Sequence, residues 1–183
     1  MGPILFILYI NDIPQYLEHC QARLFADDTL IYIVSDSIED ATTKMNHDLS
    51  IISHKLCQNK LKLNVSKTKA MIITNGNIDK NNIDLNINGE KIEIEHKIKY
   101  LGVIIDDKLS FDQNVNHVCR KVGLKVNVLN RLRNELNPNQ KLTLYKAIIE
   151  PHFNYCASIY CFCQIQPIYV DSKLFRTIVL DRF

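Results

Sequence analysis

The sequence of 183 residues has no tryptophan, only five glycines and five prolines, and a formal net charge of only +2. It has no run of about 20 apolar residues, the length that a membrane-spanning helix needs. The short apolar run at residues 4–10 lacks a basic flank and a cleavage site, so it does not resemble a secretory signal. Hydrophobic residues make up 46% of the chain, which excludes global disorder and predicts a packed core.

The six cysteines are scattered and include no C-x-x-C pair. We therefore expect reduced thiols, an intracellular protein without a disulfide-linked or membrane partner, and no preference between nucleus and cytoplasm. The cluster of His152, Cys156, Cys161 and Cys163 lies in an apolar, aromatic stretch. This setting favours buried structural thiols over a zinc site.

The small net charge conceals a strong pattern along the chain. Residues 27–48 carry six carboxylates and one lysine, residues 49–78 carry five lysines and no acid, and residues 113–149 carry seven basic residues and one acid. An acidic patch followed by two basic stretches could bind cations beside a polyanion. Ordinary solvated helix faces are the alternative explanation of the same pattern.

Hydrophobic periodicity predicts two elements near the acidic patch. Residues 22–34 have two apolar arms around Asp27 and Asp28, which predicts a β-hairpin with the acids at or beside its turn. From Ile38 to Leu56, apolar residues recur every three or four positions, which predicts an amphipathic helix that Ser37 caps and that ends near Asn59.

Further patterns complete the expected fold. They predict a strand at residues 69–74, a hairpin turning at Asn88-Gly89, a strand at residues 100–105, a basic helix from about Gln113 to Asn134, and a second helix from about Asn139 towards Pro151. The fold class is therefore α+β, with residues 1–106 mixed and residues 107–183 largely helical.

Asp27 and Asp28 are the strongest candidates for chemistry. Adjacent strand residues point to opposite faces, so these two acids are a poor acid/base pair. Their oxygens suit hard divalent cations, which complete their coordination with water and phosphate groups. Taken alone, however, two aspartates in a turn are more typical of a solvated turn.

A family resemblance favours the metal-binding interpretation of Asp27 and Asp28 over the solvated turn. Residues 2–14, 24–29, 61–69 and 100–103 resemble, in order, successive blocks of the reverse transcriptases of non-LTR, LINE-like retrotransposons of the jockey and CR1 type. Residues 144–151 and the aromatic segment behind them are similar to the region that follows the polymerase core. The resemblance implies an RNA-directed DNA polymerase: residues 1–106 would be part of its palm, an antiparallel sheet with helices, and residues 107–183 a helical, thumb-like region.

The resemblance also implies roles for individual residues. Asp27 and Asp28 would bind Mg²⁺, with Mn²⁺ as the other candidate ion, and Lys67 would help neutralise or protonate the leaving pyrophosphate. Tyr100, Leu101 and Gly102 would contact the primer end. An RNA template, a DNA primer and a deoxynucleoside triphosphate are the implied partners. The alternatives are one more solvated lysine for Lys67 and a strand with a glycine bulge for residues 100–102.

The family places a third aspartate on an earlier palm strand, upstream of Gly2-Pro3, and Met1 falls inside a block. We therefore expect a fragment that is inactive alone, with unpaired strand edges beside the Asp27-Asp28 hairpin. A remnant that binds nucleic acid without catalysis, or an unfolded relic, is the alternative.

Overall fold

A computed structural model describes residues 2–61, 63–74, 83–159 and 175–182, although the side chains of residues 2, 3 and 175–182 are not described. The chain divides into two compact units. One comprises Met1–Leu101 with Tyr169–Phe183, and the other comprises Gly102–Ile168. Each unit is described separately below.

The first unit begins with helix α1 (Gly2–Ile10) and a short 3-10 helix (Ile13–Tyr16), which lead into the predicted hairpin. Its remaining elements are β1 (Gln21–Phe25), β2 (Asp28–Ser35), α2 (Ile38–Gln58), β3 (Lys69–Ile73), β4 (Asn86–Ile87), β5 (Glu90–Lys91), β6 (Glu93–Ile94), β7 (Lys97–Tyr100) and, from the end of the chain, β9 (Phe175–Arg182).

Helix α2 confirms the periodicity prediction. The Ser37 side chain accepts a hydrogen bond from the Asp40 N–H, and Glu39 and Asp40 lie at the positive end of the helix dipole. The face at three- and four-residue spacing is buried in the core of the unit. It packs there with strand residues, and the core includes Ala41, Met45, Leu49, Ile52, Leu56, Ile31, Ile33, Ala70 and Ile72.

The main sheet has the order β1-β2-β9-β3-β6. Strand β9 is antiparallel to both β2 and β3, while β6 is parallel to β3. Strand β2 therefore has a partner on each side. Strand β1, the other arm of the hairpin, lies at one edge of this sheet, so the expected unpaired edge beside the hairpin is on β1. Strand β9 lies within residues 107–183, which are expected to be largely helical.

The Asn88-Gly89 turn also forms as predicted. It joins β4 and β5, and both turn residues have positive φ, +54° and +84°. Ser53 on α2 donates a hydrogen bond to the Asn88 side chain at 2.9 Å, which ties the hairpin to the helix. The prediction of one strand at residues 100–105 is wrong, because Leu101 and Gly102 turn the chain with φ of +45° and +86°.

The second unit contains β8 (Val103–Asp106), α3 (Asp112–Arg131), α4 (Pro138–Leu144), a π-helical turn (Tyr145–Ile149) and α5 (Glu150–Asn154). The buried Asp106 carboxylate accepts from the backbone N–H groups of Lys108, Ser110 and Phe111, and so fixes the loop before α3. The second helix, expected from about Asn139 towards Pro151, is divided into α4, the π-helical turn and α5, and Pro151 lies in the first turn of α5. Proline has no N–H to donate, but the first turn of a helix does not require one, so Pro151 is tolerated there. The π-helical turn directly precedes this helix.

Candidate active site

The tip of the β1-β2 hairpin carries Asp27 and Asp28. Phe25 pairs with Asp28, so Ala26 and Asp27 form a two-residue connection. Asp27 is exposed and Asp28 is half-buried. Ala26 has a φ of +51°, a left-handed conformation that costs about 1–2 kcal/mol for a residue with a Cβ. The hairpin therefore holds two adjacent carboxylates on a tight, strained turn at the end of a sheet.

Tyr100 lies within electrostatic reach of this turn. The pKa of Tyr100 is raised above its ordinary value, first by burial and then by the negative charge of Asp28. Tyr100 ends strand β7 and is half-buried. The fold thus brings together two residues that the sequence blocks place more than 70 positions apart.

Gly102 lies in the turn that follows Tyr100. Its φ of +86° belongs to the left-handed region, which glycine adopts without steric cost. A Cβ at this position would lie 3.5 Å from the ring of Tyr155, an ordinary van der Waals contact. Glycine is therefore favoured by the backbone conformation rather than by lack of space.

The loop that bears Lys67 is a compact turn held by its own backbone. The Asn64 carbonyl accepts hydrogen bonds from the N–H groups of Lys67 and Thr68, and from the Thr68 hydroxyl. Thr68 is buried and Lys67 is exposed. These three hydrogen bonds are local, and the Lys67 side chain is exposed to solvent.

Strand β9 was not foreseen as a neighbour of the candidate site. It pairs with β2 along its length, and the register sets Arg182 opposite Asp28 and Asp181 opposite Thr29. A basic residue, not an acid, therefore takes the position across from the candidate metal ligand. The sequence carries no local signal for this pairing, because β2 and β9 are separated by most of the chain.

The donor atoms of the hairpin suit a hard cation, but their number is small. Among the side chains that the structure describes, Asp27 and Asp28 do not form a group with a third carboxylate, histidine or cysteine at metal-binding separation. Two close divalent ions need more negative oxygen ligands than these two residues supply. The described residues therefore fit at most part of a two-metal site.

Helix α3 confirms the predicted basic helix, with bounds close to those expected. Its basic side chains Arg120, Lys121 and Arg131 are exposed. Lys125 is half-buried, where it donates to the Ile148 carbonyl at 3.0 Å and contacts His152. Burial, followed by the positive charges of Lys125 and Lys121, lowers the pKa of His152. Val122 on this helix is buried, whereas Val126 and the C-cap residue Leu132 are exposed.

Of the predicted cysteine cluster, the structure describes Cys156. Cys20, Cys57, Cys119 and Cys156 are free thiols, and Cys156 is partly buried. Cys161 and Cys163 lie outside the described residues. In the described part of the chain, no helix is long and apolar enough to cross a membrane.

Paired aspartates at a hairpin tip in an α+β unit are typical of a polymerase catalytic domain. Comparison with known proteins identifies the family. The reverse transcriptase (RNA-dependent DNA polymerase) family matches residues 1–105, and the chain belongs to that family. Its relatives are reverse transcriptases of LINE-like mobile elements, as the sequence blocks indicate. Members of this family use divalent metal ions and act on nucleic acid.

Three curated relatives make the relationship specific. The RNA-directed DNA polymerase from mobile element jockey of Drosophila funebris is 28% identical over 87% of this chain and 18% of its own length. The jockey polymerase of Drosophila melanogaster is 26% identical over the same shares. The probable RNA-directed DNA polymerase from transposon X-element of Drosophila melanogaster is 27% identical over 96% of this chain and 19% of its own length. The chain therefore spans about a fifth of these relatives. No solved structure matches it significantly.

Proposed function

We propose that this chain is the C-terminal palm portion and a thumb-like helical region of a retrotransposon RNA-directed DNA polymerase. The observation that carries the proposal is the tight hairpin that presents Asp27 and Asp28, with Tyr100 in electrostatic reach, inside the segment that matches the family. Residues 1–106 would form the palm portion and residues 107–183 the thumb-like region, except that β9 within the latter range pairs with the palm strands β2 and β3. The substrates would be an RNA template, a DNA primer and a deoxynucleoside triphosphate.

Asp27 and Asp28 are the proposed ligands of Mg²⁺, with Mn²⁺ as the other candidate. A bound ion would activate the primer hydroxyl and offset charge on the phosphates. Asp27 is exposed at the hairpin tip, whereas Asp28 is half-buried at the start of strand β2. In line with the family resemblance, Asp27 is the proposed main ligand and Asp28 its weaker companion.

Lys67, Tyr100, Leu101 and Gly102 have supporting roles in this proposal. The exposed ammonium group of Lys67 can offset negative charge on a leaving pyrophosphate. The turn at Leu101-Gly102 lets backbone approach the primer end closely, because Gly102 carries no side chain. Tyr100 and Leu101 would contact the primer end together with Gly102.

The chain alone is proposed to be inactive, because the described residues bring no third carboxylate to Asp27 and Asp28. Primer extension on an RNA template with Mg²⁺ tests this point. We expect no product from the native chain beyond that of Asp27→Ala. Extension that Asp27→Ala abolishes would overturn the proposed inactivity.

A chimera tests the polymerase role itself. The matching segment of the Drosophila funebris jockey polymerase is replaced by this chain, and a chimera that extends primers serves as the reference. Asp27→Ala should then abolish extension, because it removes the main metal ligand. Asp36→Ala removes another exposed carboxylate, beyond the end of β2, and should leave extension unchanged. Equal extension by the two variants would refute the role of Asp27.

A non-catalytic nucleic-acid-binding function is the second candidate. It is favoured by the exposed basic side chains of α3, which could lie along phosphates without reading sequence. Retention of an RNA–DNA duplex should then weaken steeply with salt, and Lys121→Gln should reduce the slope by about one phosphate contact. Retention without extension, in the chimera as well as in the chain, would favour this function.

A further inference from the structure

A cluster of metal-ligating side chains lies apart from the acids of the hairpin tip. Glu18, His19 and His47 each offer one ligand atom, and these atoms all lie within 4.8 Å of one another. Glu18 and His19 precede β1, while His47 lies on α2. The two imidazole rings are 5.4 Å apart between centroids, and all three residues are exposed. Two elements distant in sequence therefore converge on one small, accessible patch.

A buried carboxylate holds this cluster in place. Asp48 has no exposed surface, and its Oδ2 accepts hydrogen bonds from the N–H groups of His19 at 2.9 Å and Cys20 at 2.7 Å. Its Oδ1 lies 3.2 Å from Nδ1 of His47. One carboxylate thus orients both the backbone of His19 and the ring of His47. A carboxylate behind a histidine is the usual outer partner of a metal-binding imidazole.

The hydrogen bond from Nδ1 of His47 to Asp48 leaves the Nε2 lone pair as the ligand. Cys20 does not compete as a ligand, because it is buried and its thiol donates a hydrogen bond to Sδ of Met45 at 3.7 Å. The available donors are two imidazoles and one carboxylate. This set suits a borderline ion such as zinc, in contrast to the all-oxygen set at Asp27 and Asp28.

We propose that Glu18, His19 and His47 form a site for a divalent transition-metal ion of the zinc class, with Asp48 as a positioning residue. Ligands of a tetrahedral zinc ion lie roughly 3.3 Å apart, given Zn–N and Zn–O distances of about 2.0–2.2 Å. Exposed side chains can close from the 4.8 Å limit to that separation by rotamer changes. A water molecule completes the coordination. The ion joins the segment before β1 to helix α2, and so braces the base of the hairpin.

Zinc titration of the full chain, freed of metal by a chelator, tests the proposal by calorimetry. We expect one ion per chain and at least a tenfold loss of affinity in His19→Ala and His47→Ala. Glu18→Gln keeps the shape of the side chain and should also weaken binding. His54→Ala is the matched control, since His54 is an exposed histidine on the same helix but outside the cluster. Circular dichroism verifies that each variant is folded.

Cobalt(II) provides an independent readout. Bound at this site, it should show visible d–d absorption without the charge-transfer band of a thiolate ligand. The d–d absorption should be lost in His47→Ala and retained in His54→Ala. No binding by the native chain, equal affinity in the His47 and His54 variants, or a thiolate band that places the ion on cysteine would each overturn the proposal.

Discussion

Asp48 is the residue whose replacement should change the stability of the first unit most clearly. Its carboxylate is fully buried on α2 and accepts hydrogen bonds from the N–H groups of His19 and Cys20. Hydrogen bonds to a charged group contribute about 1.5–3 kcal/mol each, and neutral ones about 0.5–1.5 kcal/mol. Asp48→Ala removes both hydrogen bonds and leaves the two N–H donors without an acceptor. We therefore expect the free energy of unfolding to fall by about 4 kcal/mol. Asp48→Asn keeps an acceptor oxygen but loses the charge, so we expect about 2 kcal/mol.

Urea unfolding followed by circular dichroism measures both losses. With a slope of about 1–3 kcal/mol per M, Asp48→Asn should lower the midpoint by roughly 1 M and Asp48→Ala by about twice as much. Asp84→Asn neutralises an exposed carboxylate and should leave the midpoint nearly unchanged. If Asp48→Ala cost less than 1 kcal/mol, the reasoning from these hydrogen bonds would be refuted.

The same carboxylate predicts a pH dependence. Burial raises the pKa of Asp48, but the hydrogen bonds from His19, Cys20 and His47 outweigh it and hold the pKa below its ordinary value. A lowered folded-state pKa gives stability that is present above the unfolded pKa of about 3.9 and is lost as the pH falls through the folded value. The stability difference between the native chain and Asp48→Asn should therefore shrink below about pH 4. A difference that stays constant down to pH 2 would contradict this.

Two further changes test the sheet and its turns. Gly89→Ala puts a Cβ on a residue with φ of +84°, and this Cβ would have no atom within 4 Å. Backbone strain alone should therefore destabilise the chain by about 1 kcal/mol, measured by thermal unfolding. An unchanged melting temperature would contradict the turn geometry. Ile178→Pro removes an N–H from the middle of β9, so β2 and β3 should lose hydrogen-exchange protection, whereas Ile178→Val should keep it. Equal protection in both variants would argue against β9 as a central strand.

The elements predicted correctly are those whose signals are local. Helix α2 shows its apolar face and its acidic first turn within 21 residues, and its cap Ser37 directly precedes them. The β1-β2 hairpin and the Asn88-Gly89 turn likewise carry their signals in a few adjacent residues. Local periodicity and turn chemistry therefore predict the framework that presents Asp27 and Asp28.

The features that escaped prediction depend on distant partners. The sequence pattern predicts that Leu101 lies in a strand, but the chain turns there with positive φ. In the sequence, Asp48 resembles the other acids of a solvated helix face. In the folded unit it is buried, and it accepts hydrogen bonds from the N–H groups of His19 and Cys20. Strand β9 joins β2 from the other end of the chain, and its place in the sheet follows from tertiary pairing rather than from its own composition.

Metal binding at the hairpin tip tests most directly whether Asp27 and Asp28 form the metal-binding part of a polymerase site. Paramagnetic Mn²⁺ is titrated into the isotope-labelled full chain, and the amide signals of residues 26–28 are followed by NMR. We expect selective broadening of these signals in the native chain and in the control Asp36→Ala, and its loss in Asp27→Ala. Broadening that survives Asp27→Ala, or that never reaches residues 26–28, would contradict the assignment of this turn as a metal site.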